Sequence, residues 1–406
     1  MRVSIVHDYG VPVGGAENLS IALRAGLRAR GHEARLFTST AKPLPLPIEA
    51  DATCHGTMGP TRRVLQAWNP MAAVALRREL ETFDPDVVHV RMFMSQLSPS
   101  ILPLLRDRPA ILHVVNYDLI CPLNTRVLPN GEPCREQAGA ACGRNGCLPP
   151  LGRARAAVQR ASWRRDGEAF DRILCNSHRV AEQLERYGVP TDGVVWNGVP
   201  ERAARPSVPD GAAPHVGYAG RLVPKKGVDW LLRAFALACT DVPDARLSIA
   251  GDGPDRAALG RLADTLGIGA RVRWLGHLDR DALEAAFADV HVQAVPSLWE
   301  EPFGLVAAEG MMRGCALVAS RGGGLGEQVL DGRTGFLVDA GDVSALAARL
   351  SELLGDLGLA GRMGAAGRER ALACFTEEAV VERFVAEYER LLSGKRRDRE
   401  GVEVDA

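Results

Sequence analysis

What the chain has least of is charge of one sign. Its 49 Lys and Arg stand against 50 Asp and Glu, a formal net charge of −1. No global basic field draws it to nucleic acid, and no nucleic-acid partner is expected. No apolar run approaches the ~20 residues that a membrane-spanning helix needs. The first residues, Met1-Arg2-Val3-Ser4-Ile5-Val6-His7, read as a short strand ending at Asp8. They lack the long apolar core of a secretory leader, so the expected compartment is cytoplasmic, with any membrane contact peripheral. There is no internal sequence repeat. The spaced three-glycine dinucleotide fingerprint is also missing, which counts against a nicotinamide enzyme.

What is present fits an ordinary globular protein. The 406 residues suffice for two or more domains, with 46% hydrophobic and 24% charged content. Short β-branched runs alternate with longer amphipathic stretches. Strands are expected at Val3–His7, Ala34–Phe37, Asp86–Val90, Ala110–Val115, Arg172–Cys175 and Val194–Trp196. Helices are expected at Glu17–Arg30 and Met71–Glu81. Glu201 to Pro214 is rich in Pro, Ala and Arg without periodicity, a linker composition. The alternation restarts with strands at His215–Ala219, Arg246–Ala250, Val272–Trp274, Val290–Ala294 and Ala316–Ala319. Helices follow near Val228–Ala238, Arg256–Leu266, Ala282–Phe287 and Leu305–Arg313. This order predicts an α/β protein of two doubly wound domains facing across a cleft, with ligands beyond the carboxyl ends of the strands. The expected boundaries are 1–200, a linker 201–214, a second domain 215–375, a terminal helix 376–393 and a polar, disordered tail 394–406.

The chemistry concentrates in glycine-rich turns. Gly14-Gly15-Ala16-Glu17 follows the first strand and opens a helix, where backbone N–H groups can approach an anion or a sugar. A plain tight turn explains the pair equally well. In Gly220-Arg221-Leu222-Val223-Pro224-Lys225-Lys226-Gly227, Arg221 and Lys226 can converge on one diphosphate. A solvated basic turn is the plainer alternative. Gly251-Asp252-Gly253-Pro254 is another strand-to-helix turn, with Pro254 suited to the first helical position. Gly322-Gly323-Gly324-Leu325-Gly326-Glu327 implies a backbone that approaches a ligand closely or takes positive φ. Glu327 in it is either a ligand contact or a first-turn helix charge. Between these lies Glu300-Glu301-Pro302-Phe303-Gly304-Leu305-Val306-Ala307-Ala308-Glu309, with two carboxylates on either side of a loop-to-helix glycine. A loop carboxylate suits sugar hydroxyls, and a helix N-terminus suits phosphate.

Taken in order, Gly-Arg-Leu…Lys-Gly, Gly-Asp-Gly-Pro, Pro296-Ser297…Glu-Pro-Phe-Gly-Leu-Val…Glu and Gly-Gly…Glu327…Asp331-Gly332…Gly335-Phe336-Leu337-Val338 resemble family 4 of the retaining, glycogen-synthase-like glycosyltransferases. The resemblance covers most of the chain and is strongest from Gly217 to Val338. It implies the GT-B fold, two Rossmann-like domains with a nucleotide-sugar donor held mostly by the second. By that resemblance Arg221 and Lys226 neutralise the donor diphosphate and Glu301 hydrogen-bonds the donor sugar. The N–H groups around Phe303, Gly304 and Leu305 face the phosphate, and Glu309 binds the ribose. Gly14 and Gly15 line the donor phosphate and acceptor side. Asn197-Gly198-Val199 matches the turn ending the first domain, and the helix Thr376–Leu392 the one crossing back to it. Gly251 and Asn116 join the expected binding residues. Many members carry His where this chain has Val115; His113, two residues earlier on the same strand face, either substitutes or is a core histidine.

Asn116-Tyr117-Asp118-Leu119-Ile120-Cys121-Pro122, with Cys134, Cys142 and Cys147 after it, is similar to a subset of the family with a cysteine-bearing insertion. The quartet could bind a structural zinc; free thiols or a redox-labile pair stay open. No catalytic metal or other catalytic cofactor is expected, because Arg221 and Lys226 supply the positive charge. Arg153, Arg155, Arg160, Arg164 and Arg165, with Trp163 among them, form either a solvated helix face or a surface for an anionic membrane, where lipid-linked acceptors are found. The expected reaction moves a sugar from a nucleotide-diphosphate sugar to a hydroxyl of a glycan or lipid-linked acceptor, with retention. The competing readings are a GT-B sugar phosphorylase, a nucleotide-sugar epimerase and an inactive nucleotide-sugar binder.

Overall fold

The computed structural model describes residues 1–12, 14–203 and 211–402, with only the backbone given for 395–402. Most of the linker (204–210) and the last part of the tail (403–406) lie outside the described residues. The chain forms two compact units. One comprises Met1–Asn197 with Glu377–Ala406, the other Gly198–Thr376. The division falls just before the Pro/Ala/Arg-rich stretch. Val199 already belongs to the second unit, because its N–H donates to Phe375 O at 2.7 Å and it bridges Thr376.

The first unit is built on seven strands: β1 (Arg2–Tyr9), β2 (Glu33–Ser39), β3 (Ala52–Cys54), β4 (Val87–Val90), β5 (Ala110–Val114), β6 (Arg172–Cys175) and β7 (Gly193–Val194). They pair in the order β3-β2-β1-β4-β5-β6-β7, all parallel. Parallel sheets are covered on both faces, so their strands are continuously apolar. β4 is Val-Val-His-Val and buried throughout. β3 escapes a reading by alternation because it is three residues long.

The second unit has six parallel strands: β8 (His215–Ala219), β9 (Arg246–Ala250), β10 (Val272–Gly276), β11 (Val292–Val295), β12 (Ala316–Ser320) and β13 (Gly335–Val338). Their order is β10-β9-β8-β11-β12-β13. Leu231 and Phe235 from the helix Val228–Asp241, and Leu346 and Leu350 from Val343–Gly355, pack on Val216, Ile249, Val292 and Val318. Each sheet therefore reverses direction once, between β1 and β4 in the first unit and between β8 and β11 in the second. Two doubly wound, Rossmann-like units result, and these two switch points are where such sheets bind ligands.

The terminal helix, Glu377–Val402, runs past the expected end at Leu392. Its Lys, Arg and Glu side chains are good helix formers, so polarity alone does not end it. Its Val380, Val381, Phe384, Tyr388 and Leu391 complete the core of the first unit, against Val3, Ile5, Val87 and Ile111. Under this helix lie two buried histidines. His89 Nδ1 is 2.6 Å from Tyr388 Oη. His113 is fully enclosed, with Nε2 3.0 Å from Val195 O and its ring 4.9 Å from Phe384. Burial, with the Arg91 charge, pushes the pKa of both well below the usual histidine value. His113 is thus a neutral core histidine bonded to backbone, and its expected role as a substrate contact is withdrawn.

Tyr388→Phe should strand the buried His89 Nδ1 and lower stability by about 1–3 kcal/mol. Urea unfolding checks this; an unchanged midpoint at unchanged slope would show that the contact carries no net stability.

Candidate functional site

At the switch point of the second unit, a loop from each side supplies one half of a buried ion pair. The turn after β8 carries Lys226, in the short helix Pro224–Lys226. The loop after β11 carries Glu301, which is 5% exposed. Lys226 Nζ donates to Glu301 Oε1 at 2.6 Å, Ser297 Oγ donates to the same oxygen at 2.6 Å and Trp299 Nε1 at 3.0 Å. Burial on its own would push the Glu301 carboxyl up. The Lys226 charge and the three hydrogen bonds outweigh it and hold the group below the usual carboxylate value. All three donors go to Oε1; among the described residues none reaches Oε2. The result is an ionised, fixed carboxylate with one oxygen able to accept from a ligand. Lys225 Nζ sits 3.8 Å from the centre of the Trp299 ring and steadies the indole that bonds Glu301.

The glycines make this loop possible. Gly304, at φ +91°, turns the chain into the helix Leu305–Arg313, and no side chain caps that helix. Ala307 N–H donates to Gly304 O at 2.9 Å, which leaves the N–H groups of Leu305 and Val306 for whatever the loop binds. The glycine-rich crossing after β12 packs on the same loop from behind. A Cβ on Gly323 (φ +67°) would lie 2.3 Å from Glu301 O, and Gly324 N donates to that oxygen at 2.8 Å. The crossing thus approaches the 301–303 backbone itself. Gly251 has a similar cause, since a Cβ there would meet Gly220 O at 1.8 Å. Phe303 is buried against Phe375, at a ring separation of 5.8 Å. Glu327 sits in the four-residue helix Leu325–Gln328 as a first-turn acid.

Arg221 stands on the same turn as Lys226 but is exposed, and its carbonyl accepts from Tyr218 Oη at 3.1 Å and from Val223 N–H at 3.2 Å. Glu309 lies along the helix Leu305–Arg313, half-buried, with no hydrogen-bond or ion-pair partner among the described residues. Burial pushes its carboxyl above the usual value against the pull of Arg313 and Arg280. Arg313 is itself committed, to Glu284 at 2.8 Å and to Gln293 Oε1 at 2.9 Å. Ser297 and Trp299 were not foreseen as functional. Their signal was proximity, since both fall within four positions of Glu301 on one loop.

In the first unit Gly14 caps the helix Gly15–Ala29 without a side chain, and a Cβ on it would meet Glu17 Oε2 at 2.7 Å. Asn116 donates from Nδ2 to Asp118 Oδ2 at 2.9 Å. Burial raises the Asp118 pKa to about 7. The four cysteines of the insertion, Cys121, Cys134, Cys142 and Cys147, all line one small cavity of about 20 Å³. Cys134 Sγ lies 3.9 Å from Glu136 O and Cys147 Sγ 3.9 Å from Asn145 O, and burial together with the other three thiols raises the Cys147 pKa. Among the described residues no three His, Cys, Asp or Glu side chains are set to hold a metal ion. Zinc enters no later step. Two arginines, Arg155 and Arg160, tie the insertion to the neighbouring helix. From the helix Pro150–Asp166, Arg155 reaches Gln66 Oε1 at 2.6 Å and Pro122 O at 3.4 Å, Arg160 bonds Ala138 O, and Arg165 pairs with Asp166. Arg155 and Arg160 thus spend donors within the unit. No helix among the described residues is long and apolar enough to cross a membrane.

Two Rossmann-like units, with a fixed carboxylate and ammonium at the switch point of the second, define a GT-B type transferase architecture. Residues 13–202 match Glycosyltransferase Family 4 and residues 201–370 match Glycosyl transferases group 1. The chain is 30% identical over 351 residues to a D-inositol 3-phosphate glycosyltransferase of Mycobacterium marinum, covering 80% of this chain and 69% of that protein. It is 40% identical over 168 residues to a GDP-mannose-dependent alpha-(1-6)-phosphatidylinositol monomannoside mannosyltransferase of Mycolicibacterium smegmatis, covering 40% of this chain and 44% of that protein. Other relatives are matched over about half of their length. The sucrose-phosphate synthase of Thermosynechococcus elongatus shares the fold, with TM-score 0.73 and 24% identity over 97% of this chain and 100% of that one. The chain belongs to glycosyltransferase family 4.

Glu309 gives a pH-resolved test. Its folded pKa is raised, so the ionised form costs stability above both pKa values and nothing below the unfolded one. Glu309→Gln should raise Tm at pH 7 and leave it unchanged near pH 4. A Tm that falls at both would show Glu309 to be an ordinary structural contact.

Proposed function

We propose that the protein transfers a glycosyl group from a nucleotide-diphosphate sugar to a hydroxyl of a glycan or lipid-linked acceptor, with retention of anomeric configuration. The carrying observation is the Lys226–Glu301 pair at the switch point, with its free Oε2 beside an uncapped helix start. Cleaving the anomeric C–O bond builds negative charge on the leaving diphosphate. Lys226, Arg221 and the N–H groups at Leu305 can stabilise that charge without reorganising. Glu301 accepts hydroxyls of the donor sugar through Oε2, and its ionisation suits an oxocarbenium-like transition state. Glu309, an unpartnered carboxylate, suits the paired hydroxyls of a ribose. The leaving phosphate can take the acceptor proton, so the reaction needs no separate base. The relatives named for GDP-mannose and for inositol phosphate support a nucleotide-sugar donor and a place in glycolipid or other glycoconjugate synthesis.

The test is a screen of UDP-, GDP- and ADP-sugars by thermal shift and donor hydrolysis, followed by NMR of the product anomer. One donor should stabilise the protein and turn over, and the product should keep the donor's configuration. No shift with any nucleotide would overturn the reading, and an inverted product would overturn its stereochemistry.

Lys226→Ala should lower kcat by about a hundredfold, the order of one lost transition-state contact. It also leaves Glu301 buried and unpaired, at a stability cost of up to about 3–5 kcal/mol. The double variant with Glu301→Gln should recover Tm and not turnover. Recovery of both would reduce Lys226 to a structural partner.

A further inference from the structure

The first unit has its own switch point, and the cation there, Arg91, makes no ion pair within 4.0 Å among the described residues. Arg91 directly follows β4, where its N–H donates to Val6 O of β1 at 3.0 Å. It is 5% exposed, its Nε is buried without a partner, and its Nη2 has only a long 3.4 Å contact to Asn197 Oδ1. His7, His89 and His113 feel its charge, and burial together with that charge keeps all three neutral. None of them can balance it.

The nearby acids do not serve either. Asp8 accepts from the N–H groups of Ser95, Gln96 and Leu97, at 2.8, 2.7 and 2.9 Å, and makes no ion pair with Arg91 within 4.0 Å among the described residues. Glu17 feels the Arg91 charge, but no ion pair joins them within 4.0 Å among the described residues, and burial raises the Glu17 pKa. A buried guanidinium left unpaired is costly to a fold. Its planar fork matches phosphate and carboxylate oxygens. It stands at the strand edge where doubly wound sheets bind ligands, with the glycine pair and helix start at Gly14–Gly15 ahead of Glu17.

We infer that Arg91 is an anion-binding residue of the first unit that takes a phosphate group of a substrate. The inference rests on the glycosyltransferase reading for what that substrate is. The phosphate has two chemical sources, the donor diphosphate and a phosphorylated acceptor.

The experiment is a thermal-shift titration of the full-length protein with inorganic phosphate at constant ionic strength, with and without saturating UDP. Wild type should be stabilised by phosphate, and Arg91→Gln should need roughly tenfold more for the same shift, as for loss of a hydrogen bond to a charged group. If UDP abolishes the wild-type shift, the anion is the donor's; if the shift persists, it is the acceptor's. Arg91→Lys keeps the charge without the fork and should fall between the two. Equal phosphate shifts in wild type and the folded Arg91→Gln, or none in wild type, would overturn the inference. Should Arg91→Gln not fold, a wild-type response in Arg91→Lys would likewise assign Arg91 to stability alone. A missing UDP shift in wild type bears instead on the donor reading, separately from Arg91.

Discussion

The second unit is organised around one buried contact, the ammonium of Lys226 against the carboxylate of Glu301. Each partner comes from a different side of the point where strand order reverses, so the contact ties two loops that the sheet alone leaves independent. An enclosed carboxylate is tolerable only while it is paired and hydrogen-bonded. That single requirement accounts for much around it. Ser297 and Trp299 must point inward to supply the remaining donors, and Lys225 must lie over the indole. The crossing after β12 must be glycine where it backs onto the Glu301 carbonyl.

The strands and helices were legible because parallel sheets buried on both faces write long apolar runs into the sequence, and strand–helix alternation gives the class of fold. The helix Leu305–Arg313 is bounded as its pattern predicts, because a positive-φ glycine stands at each end. What stayed hidden has a common physical cause. β3 is too short to show a period. The terminal helix continues through residues whose charge suggests a free tail, although charge and helicity are compatible. His113 shares a strand face with apolar neighbours, and only the packing of Phe384 over it decides between core and ligand.

The site was legible in part for a similar reason. Glu301 and Lys226 stood out as polar residues at glycine-marked strand ends. Their direct pairing did not, because it joins positions far apart in sequence. Arg91 was invisible for a subtler reason. A lone arginine after Val-Val-His-Val looks like an exposed strand end, yet it is buried, where its charge acts on three neutral histidines. The basic stretch of Pro150–Asp166 left two readings open in the sequence, a solvated face and a membrane surface. A run of arginines suggests an anionic surface, yet Arg155 and Arg160 spend their donors on carbonyl and amide oxygens of the same unit.

The terminal helix gives the chain a particular order of assembly. Val380, Val381, Phe384, Tyr388 and Leu391 belong to the core of a unit whose other residues lie before Gly198. During synthesis the ribosome therefore delivers nearly the whole first sheet long before the helix that covers it. Until then the part of that sheet's face which Leu23 and Leu27 of the first helix do not cover stays open to solvent, while the second unit, continuous from Gly198 to Thr376, can close on its own. The first part made is the last to finish folding, so a chain cut short near its end would lose the half that was made first.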